Sequence, residues 1–277
     1  MTEQSSRFRF TKSPHVPALT VLQAAMHDFS YDRHAHEEYA FGVTLAGRQD
    51  FFSGGEFHRS PPGNVILFNP EEVHDGQPGG GETLDYVMVY AHPRQLEALF
   101  ADALGHEAAT DFRINETLIQ DPVLRRDILE LVRLVTTQVG SCIDQENALY
   151  RLIARSVQLA GALQPNHVAS RPDTLLGFAR EYIHSHLSED VSLDDISQAA
   201  HLSKYHFLRL FRRQFGMTPH QYVINCRVNA ARAALDAGTS LNEVAFQYGF
   251  ADLSHFNRRF KRIYGMTPRQ YQSHITT

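Results

Sequence analysis

Three histidines in the first third of the chain could do chemistry together. His34 and His36 are one residue apart, and His74 follows a later apolar run. Side chains two residues apart on a strand point to the same side, and imidazoles from two strands can converge inside a barrel. Converging imidazoles can coordinate a metal ion or form hydrogen bonds with a polar small molecule. The first hypothesis is therefore a small-molecule or metal site.

A second group of chemically active residues occurs twice. The seventeen residues from His206 match those that begin 49 positions later, at His255, and eleven of them are identical. Residues 203–215 and residues 254–264 each carry four basic side chains and no acidic one. Arginine can donate two hydrogen bonds to guanine in the major groove, and other basic side chains can neutralise phosphates. A solvated surface is the alternative, but duplication without acidic partners favours binding of nucleic acid.

The histidines must be positioned by a β domain. From about Thr20 to Tyr90, short apolar or alternating runs are separated by turn signals. Residues 53–55, Ser-Gly-Gly, predict a hairpin, and residues 78–81 predict a flexible loop before the last strand. Closely spaced strands with such connections are typical of a small barrel or jelly roll.

Helices follow the β domain, because the apolar period changes from two to 3.6 after Pro93. Helical patterns at about 93–104, 122–139 and 145–163 are predicted to pack against the barrel or against a second subunit. Residues 164–173 contain two prolines and no periodicity, which predicts a linker. The predicted fold class is α+β, with a β-barrel and flanking helices at 1–163, the linker at 164–173 and an all-α domain at 174–277.

The repeated basic segments are predicted to be the second helices of two helix-turn-helix units. In the first unit Ser192 caps a short helix, and Ser203 caps the second helix. In the second unit Leu241–Gln247 is the short helix and Asp252 is the cap. A long helix from Pro219 to Leu235 joins the units. The residues predicted to pack beneath the second helices are Phe207, Leu210, Phe211 and Gln214 in the first copy, and Phe256, Phe260 and Ile263 in the second.

The residues from 174 to 275 resemble the paired helix-turn-helix domain of AraC-type (AraC/XylS) transcription regulators. The resemblance rests on a Leu-Ser turn before HFLRLFRRQFG, on GMTPHQY, and on YGFADLSHFNRRFKRIYGMTPRQY. It implies that the helices 203–215 and 254–264 enter successive major grooves of double-stranded DNA, about 34 Å apart. Leu208 departs from the polar residue often found there, so it contacts a thymine methyl or reads nothing. The residues predicted to contact DNA are Tyr205, Leu208, Arg209, Arg212, Ser254, His255, Arg258, Lys261 and Arg262.

The β domain resembles the cupin-type sensor domain that many AraC-type regulators carry. The resemblance covers about residues 15–92 and rests on RHAHEEY, GVTLAG and PPGNVILFNPEEVHDG. Metal-binding cupins place a glutamate three or four residues beyond the His-x-His pair, where this chain has Ala40 and Phe41. We therefore predict no metal and no cofactor, and either a metal-free pocket or structural histidines. The residues predicted to contact a small-molecule effector are His34, His36, Glu38, Tyr39, His74 and Tyr86, with core packing as the alternative for the two tyrosines.

These patterns together predict a transcription regulator and not an enzyme. We expect a homodimer that binds specific DNA sequences and activates RNA polymerase, with a small effector in the barrel changing how the DNA-binding domains are presented. Two alternatives stay open. One is a metal-dependent cupin oxygenase or isomerase with an incidental DNA-binding module. The other is a DNA-binding protein without an effector, controlled by a protein partner or by its own abundance.

The charge distribution agrees with this division into a sensor and a DNA reader. The 277 residues carry a net charge of −5, but residues 1–170 carry −9 and residues 171–277 carry +4. The two cysteines, Cys142 and Cys226, exclude a disulfide framework and a thiolate zinc site. No stretch reaches the roughly 18 apolar residues of a membrane span, so we predict a cytoplasmic protein without a membrane partner.

Overall fold

The computed structural model describes residues 6–17, 19–104, 112–160 and 171–275. Residues 164–170 of the predicted linker lie outside this part, and a helix already begins at Arg171, inside the predicted linker. Within the described ranges, no helix is both long enough and apolar enough to cross a bilayer.

Contacts between Cα atoms divide the chain into two compact units. The short segment Asp32–Ala35 is grouped with the second unit, although the strand Tyr31–His34 is hydrogen-bonded in a sheet of the first unit. Because hydrogen bonds between strands fix the position of these residues, the strand belongs structurally with its sheet. The first unit comprises Met1–Tyr31, His36–Leu163 and His274–Thr277, and the second comprises Asp32–Ala35 and Gln164–Ser273.

The first unit is built on two β-sheets. Their strands are β1 Arg7–Lys12, β2 Leu19–Met26, β3 Tyr31–His34, β4 Tyr39–Ala46, β5 Gln49–Ser53, β6 Glu56–Ser60, β7 Val65–Phe68, β8 His74–Pro78, β9 Leu84–Ala91 and β10 Leu118–Ile119. One sheet has the strand order β1-β2-β9-β4-β7-β10, and the other has the order β3-β8-β5-β6. Ring contacts such as Phe51 with Phe68, at 5.5 Å between centroids, join the two sheets through their facing side chains.

Three helices pack on the other face of the six-stranded sheet: α1 Pro93–Leu104, α2 Pro122–Thr137 and α3 Cys142–Ala160. Phe41 of β4 and Val89 of β9 are paired, and both belong to one apolar core with Leu124 of α2. Residues of the other parity point away from these helices, because side chains alternate along a strand. Ala40 and its partner Tyr90 are such a pair.

The predicted α+β class is confirmed, and so is the predicted hairpin. Ser53 pairs with Glu56 across Gly54 and Gly55, whose φ angles of 60° and 85° suit a tight two-residue turn that only glycine adopts readily. Strands β1, β3, β8 and β10 were not predicted. Polar residues, glycine and proline dominate β3 and β8, so pairing with neighbouring strands forms them and local composition does not.

Apart from the short segment Asp32–Ala35, the second unit is helical in its described residues. Its helices are α4 Arg171–Ser185, α5 Leu193–Ala199, α6 Lys204–Phe215, α7 Pro219–Asp236, α8 Leu241–Gln247, α9 Leu253–Tyr264 and α10 Pro268–Ile275. Helices α5 and α6 form the first helix-turn-helix, and α8 and α9 form the second. The bounds of α6, α8 and α9 lie within a residue of those predicted, whereas α5 ends at Ala199 and not at His201, as the pattern LDDISQAAH predicted. The long helix α7 joins them as predicted.

The repeated Gly-Met-Thr-Pro segment has a structural explanation. Gly216 and Gly265 end α6 and α9 in the left-handed conformation, with φ of 65° and 77°. The threonine two residues later forms a capping box with a glutamine, Thr218 with Gln221 in the first copy, and the proline occupies the first helical position. The same stop and restart signals therefore fold both copies alike.

The two caps of α6 and α9 differ, which gives a test of the local structure. The Asp252 carboxylate accepts a hydrogen bond of 2.6 Å from the backbone N–H of His255, whereas the Ser203 side chain makes no capping hydrogen bond. Asp252→Ala is expected to lower the free energy of unfolding by about 1 kcal/mol. Ser203→Ala is expected to change it by less than about 0.5 kcal/mol. Urea titrations of the full chain measure both, and equal losses would contradict the difference in capping.

Candidate DNA-binding surface and effector site

Helix α6 has a buried apolar side and an exposed side. Phe207 and Phe211 are fully buried, and Leu210 is nearly so, as predicted. Gln214 was expected to pack with them but is exposed, because an amide at the end of the helix gains more from solvent than from the apolar core. The exposed side carries the predicted DNA contacts Tyr205, Leu208, Arg209 and Arg212, with Tyr205 81% exposed.

Helix α9 repeats this arrangement in the second copy. Phe256 and Phe260 are fully buried, and Ile263 is buried beside them. Of the predicted DNA contacts, Ser254, Arg258, Lys261 and Arg262 are exposed, and His255 is half-buried. Both second helices therefore have basic side chains on their exposed side and buried phenylalanine rings on the opposite side.

His255 differs from its neighbours in its surroundings. Burial lowers the pKa of its imidazole below the ordinary value, and the positive charges of Arg259 and Arg258 act in the same direction. The Arg259 guanidinium donates to Nε2 of His255 at 3.3 Å, so this nitrogen is the acceptor of a neutral ring. A neutral imidazole at this position can form hydrogen bonds with DNA but adds no positive charge.

The basic side of α6 lies beside an acidic residue that the sequence did not indicate. Lys204 at the start of α6 lies 2.6 Å from the carboxylate of Asp194 in α5, and both side chains are 54% exposed. The expectation that this helix has no acidic partner is thus wrong for Lys204, because α5 brings Asp194 beside it. An exposed pair of this kind stabilises little, about 0–1 kcal/mol, and phosphate can compete for the ammonium group.

Arg227 of α7 ties the two helix-turn-helix units together, and sequence reasoning missed it. Its guanidinium donates to the carbonyl oxygens of Leu187 at 2.9 Å, Glu189 at 2.5 Å and Gly249 at 2.9 Å. The first two precede α5, and the third lies in the turn between α8 and α9. Burial lowers the pKa of Arg227, and three carbonyl acceptors compensate the buried charge. A basic residue between Cys226 and Val228 of the joining helix was the available signal.

The three histidines of the β domain converge as the spacing predicted. His34, His36 and His74 are all buried, and one ligand nitrogen of each lies within 4.8 Å of the others. The rings of His36 and His74 are 5.2 Å apart at their centroids, and Tyr90 places its ring against His36 at 5.1 Å. This cluster lies on the face of the six-stranded sheet that points away from the helices, because Tyr90 pairs with Ala40.

Tyr86 extends the polar cluster along β9. Tyr86 lies four residues before Tyr90 on β9, and side chains alternate along a strand, so both side chains are on the same face of the sheet. Its hydroxyl lies 2.8 Å from the hydroxyl of Tyr31, and burial raises the pKa of both tyrosines. Tyr31 and Tyr90 were missed: period two along β9 could have indicated Tyr90, whereas Tyr31 lies on the unpredicted strand β3. Glu38 is buried as well.

Tyr39 does not join the other predicted effector contacts. It is paired with Ala91, next to the Ala40–Tyr90 pair, and therefore points to the opposite face of the sheet. There its hydroxyl donates to the carbonyl oxygen of Phe112, and its ring packs 5.3 Å from that of Phe100. The alternative reading, core packing, holds for Tyr39.

Two family models match the chain in the same order as its two units. The model of the AraC-like ligand binding domain matches residues 16–155, and a helix-turn-helix domain model matches residues 196–274. The chain is 28% identical over 227 residues to YbfI, an HTH-type transcriptional regulator of Bacillus subtilis, covering 81% of this chain and 80% of the relative. It is 21% identical over 224 residues to the XylDLEGF operon transcriptional activator of Pseudomonas putida, covering 78% and 68%.

Solved structures share the fold of the whole chain. ToxT of Vibrio cholerae superimposes with a TM-score of 0.57 at 13% identity, covering 99% of this chain and all of that one. A ToxT structure with bound unsaturated fatty acid gives 0.58 at 12% identity, covering 99% and 96%. The relatives named above are regulators and not enzymes. With a ligand-binding domain, two helix-turn-helix units and these matches, the chain belongs to the AraC family of transcriptional regulators.

Proposed function

We propose that this regulator is an effector-controlled transcription activator. Residues 1–163 bind the effector, and residues 174–277 bind double-stranded DNA with α6 and α9 in successive major grooves. The observation that carries the proposal is the duplicated surface of these two helices. Each helix has exposed arginines on one side and buried phenylalanines on the other. Arg227 forms hydrogen bonds with segments of both units. Two rigidly supported basic helices fit two grooves of one duplex.

A footprint of the purified full-length protein on fragmented genomic DNA tests this function. We expect discrete sites with two protected major-groove segments about one helical turn apart. Transcription with RNA polymerase from promoters beside those sites then tests activation. Binding that is uniform along the DNA would contradict sequence-specific reading, and repression at every site would contradict activation.

The proposed effector site consists of His34, His36, Glu38, His74 and Tyr86. All five are buried, and they combine imidazole, carboxyl and hydroxyl groups with aromatic walls. Such lining favours a small molecule with an apolar body and a polar group. The fatty acid bound by ToxT has this character, which supports the class and not the compound.

Thermal unfolding with a library of small acids and alcohols tests the effector. A ligand at 100 times its dissociation constant stabilises the folded state by about 2.7 kcal/mol. Tyr86→Phe should lower this gain, whereas Tyr39→Phe, on the opposite face of the sheet, should not. If no compound stabilises the protein, the alternative of a regulator without an effector is favoured.

A homodimer is part of the proposal. Helix α3 exposes Ile143 and Tyr150, which are 62% and 39% exposed and lie seven residues apart on one side of the helix. Exposed large apolar groups on one helix face suit association with a second copy. Light scattering during size-exclusion chromatography should give twice the mass of 31.4 kDa, and Ile143→Glu with Tyr150→Glu should give the monomer.

The exposed basic side chains Arg212 of α6 and Lys261 of α9 predict that the affinity for DNA depends on salt concentration. Arg212→Ala and Lys261→Ala are each expected to weaken binding to every sequence alike and to reduce the slope of log affinity against log salt by about 1. The reason is that each removes one phosphate contact and the counterions it releases. Titrations in potassium chloride measure the slope, with Arg59→Ala on β6 as a control outside the second unit. A change in base preference would mean that these residues read bases instead.

A further inference from the structure

The three buried histidines of the proposed effector site carry an inference that is independent of DNA binding. We propose that His34, His36 and His74 bind one divalent transition metal ion, of the zinc type, through three neutral imidazoles. With a metal ion bound, the effector contacts these histidines through the ion. Their exposed fractions are only 4%, 6% and 5%, and their ligand nitrogens lie within 4.8 Å of one another. The sequence alone predicts no metal because positions 40 and 41, where metal-binding cupins place a glutamate, are Ala40 and Phe41. The arrangement of the three rings indicates the opposite.

The hydrogen bonds of two rings select the tautomer that a metal needs. Nδ1 of His34 lies 2.7 Å from the carbonyl oxygen of Asp32, and Nδ1 of His74 lies 2.8 Å from that of Glu72. A carbonyl oxygen only accepts, so each Nδ1 carries the hydrogen and each Nε2 carries a lone pair. Metal-binding histidines donate their second ring N–H in this way, which fixes the ring and raises its basicity.

The neighbouring side chains hold the rings in place. The His74 ring stacks on Phe68 with 3.8 Å between centroids and 8° between planes, and His36 contacts both His74 and Tyr90. Zinc–nitrogen bonds of about 2.0–2.1 Å place tetrahedral ligand nitrogens about 3.4 Å apart. The ligand nitrogens, which lie within 4.8 Å of one another, therefore have to move closer together when the ion binds.

The carboxylate of Glu72, two residues before His74, is held by other groups of the protein. Glu72 accepts hydrogen bonds from Ser53 at 2.5 Å, from the backbone and side chain of Asn69 at 3.0 and 2.8 Å, and from Thr117 at 3.4 Å. It therefore supports the loop before His74 and does not ligate. Three neutral ligands leave the ion its full charge and a fourth position for water or for an oxygen of another molecule.

Metal titration of the purified, untagged full chain tests the site, with Co²⁺ and Zn²⁺ as probes. After treatment with a chelator, wild type is expected to bind one Co²⁺ per chain with the visible absorption of a tetrahedral ion, and Zn²⁺ should displace it. His34→Gln and His74→Gln should each weaken binding at least about tenfold and abolish the absorption. His58→Gln, on β6 outside the cluster, should leave both unchanged.

The chain has 16 histidines, so the titration must separate this site from weak surface binding. Competition with a chelator of known affinity does so, and circular dichroism of the metal-free variants confirms that they fold. A rise of the melting temperature of wild type with Zn²⁺ provides a readout that needs no variant. Absence of tetrahedral Co²⁺ in wild type, or its retention in both glutamine variants, overturns the proposal. Neither result bears on DNA binding, which is measured separately.

Discussion

Replacement of Arg209 and Arg258 by alanine is expected to weaken binding to the specific DNA site by about 1–3 kcal/mol each, or roughly five- to 150-fold. Both guanidinium groups are on the exposed sides of α6 and α9, where they can form paired hydrogen bonds with guanine. The two helices belong to separate helix-turn-helix units, so the effects should add to about 2–6 kcal/mol in the double variant. Base preference should relax at one position of the site for each substitution.

Fluorescence anisotropy at one fixed salt concentration, on the specific site and on a scrambled duplex, measures the change. Arg213→Ala is the matched control, because it removes the same charge from the same helix at an exposed position outside the predicted base contacts. It should weaken both duplexes equally. If both Arg209→Ala and Arg258→Ala bind like wild type, the assignment of α6 and α9 as reading helices is wrong.

The bounds of α6, α7, α8 and α9 could be predicted to within a residue because their signals are local. A cap such as Asp252, a terminating glycine such as Gly265 and an apolar face at spacings of three and four act within one or two turns. The sequence repeat doubled each signal. Contacts between elements gave no such signal, so the pairing of Lys204 with Asp194 and the three carbonyl contacts of Arg227 were found only in the structure.

The β domain was predicted less completely because sheets are formed by distant residues. The pattern of short apolar or alternating runs around β4 and β9 was visible in the sequence. It did not indicate which face met the helices, so Tyr39 was grouped with the histidines although it packs with Phe100 and Phe112. Strand β3 has no apolar run, and its place beside β8 follows from hydrogen bonds across the sheet.

The buried phenylalanine rings of α6 predict the second large effect, which is on the stability of the protein. Phe207 is fully buried and its ring packs 5.1 Å from that of Phe211, which in turn contacts Tyr222 of α7. Phe207→Ala should lower the free energy of unfolding by about 3–5 kcal/mol, because it removes the buried ring and leaves a cavity. A loss of this size is a large fraction of the stability of an ordinary domain, about 5–15 kcal/mol.

Tyr205→Ala, two residues earlier on the same helix, is the matched control for this substitution. Its ring is 81% exposed, so its removal should change the free energy of unfolding by less than about 0.5 kcal/mol while weakening DNA binding. Urea unfolding of the full chain, followed by circular dichroism, together with anisotropy on the specific site, separates the two roles. Phe207→Ala should lower the free energy of unfolding, whereas Tyr205→Ala should lower only the affinity for DNA. If Tyr205→Ala instead lowers the stability and Phe207→Ala lowers only the affinity, α6 presents its other side to DNA.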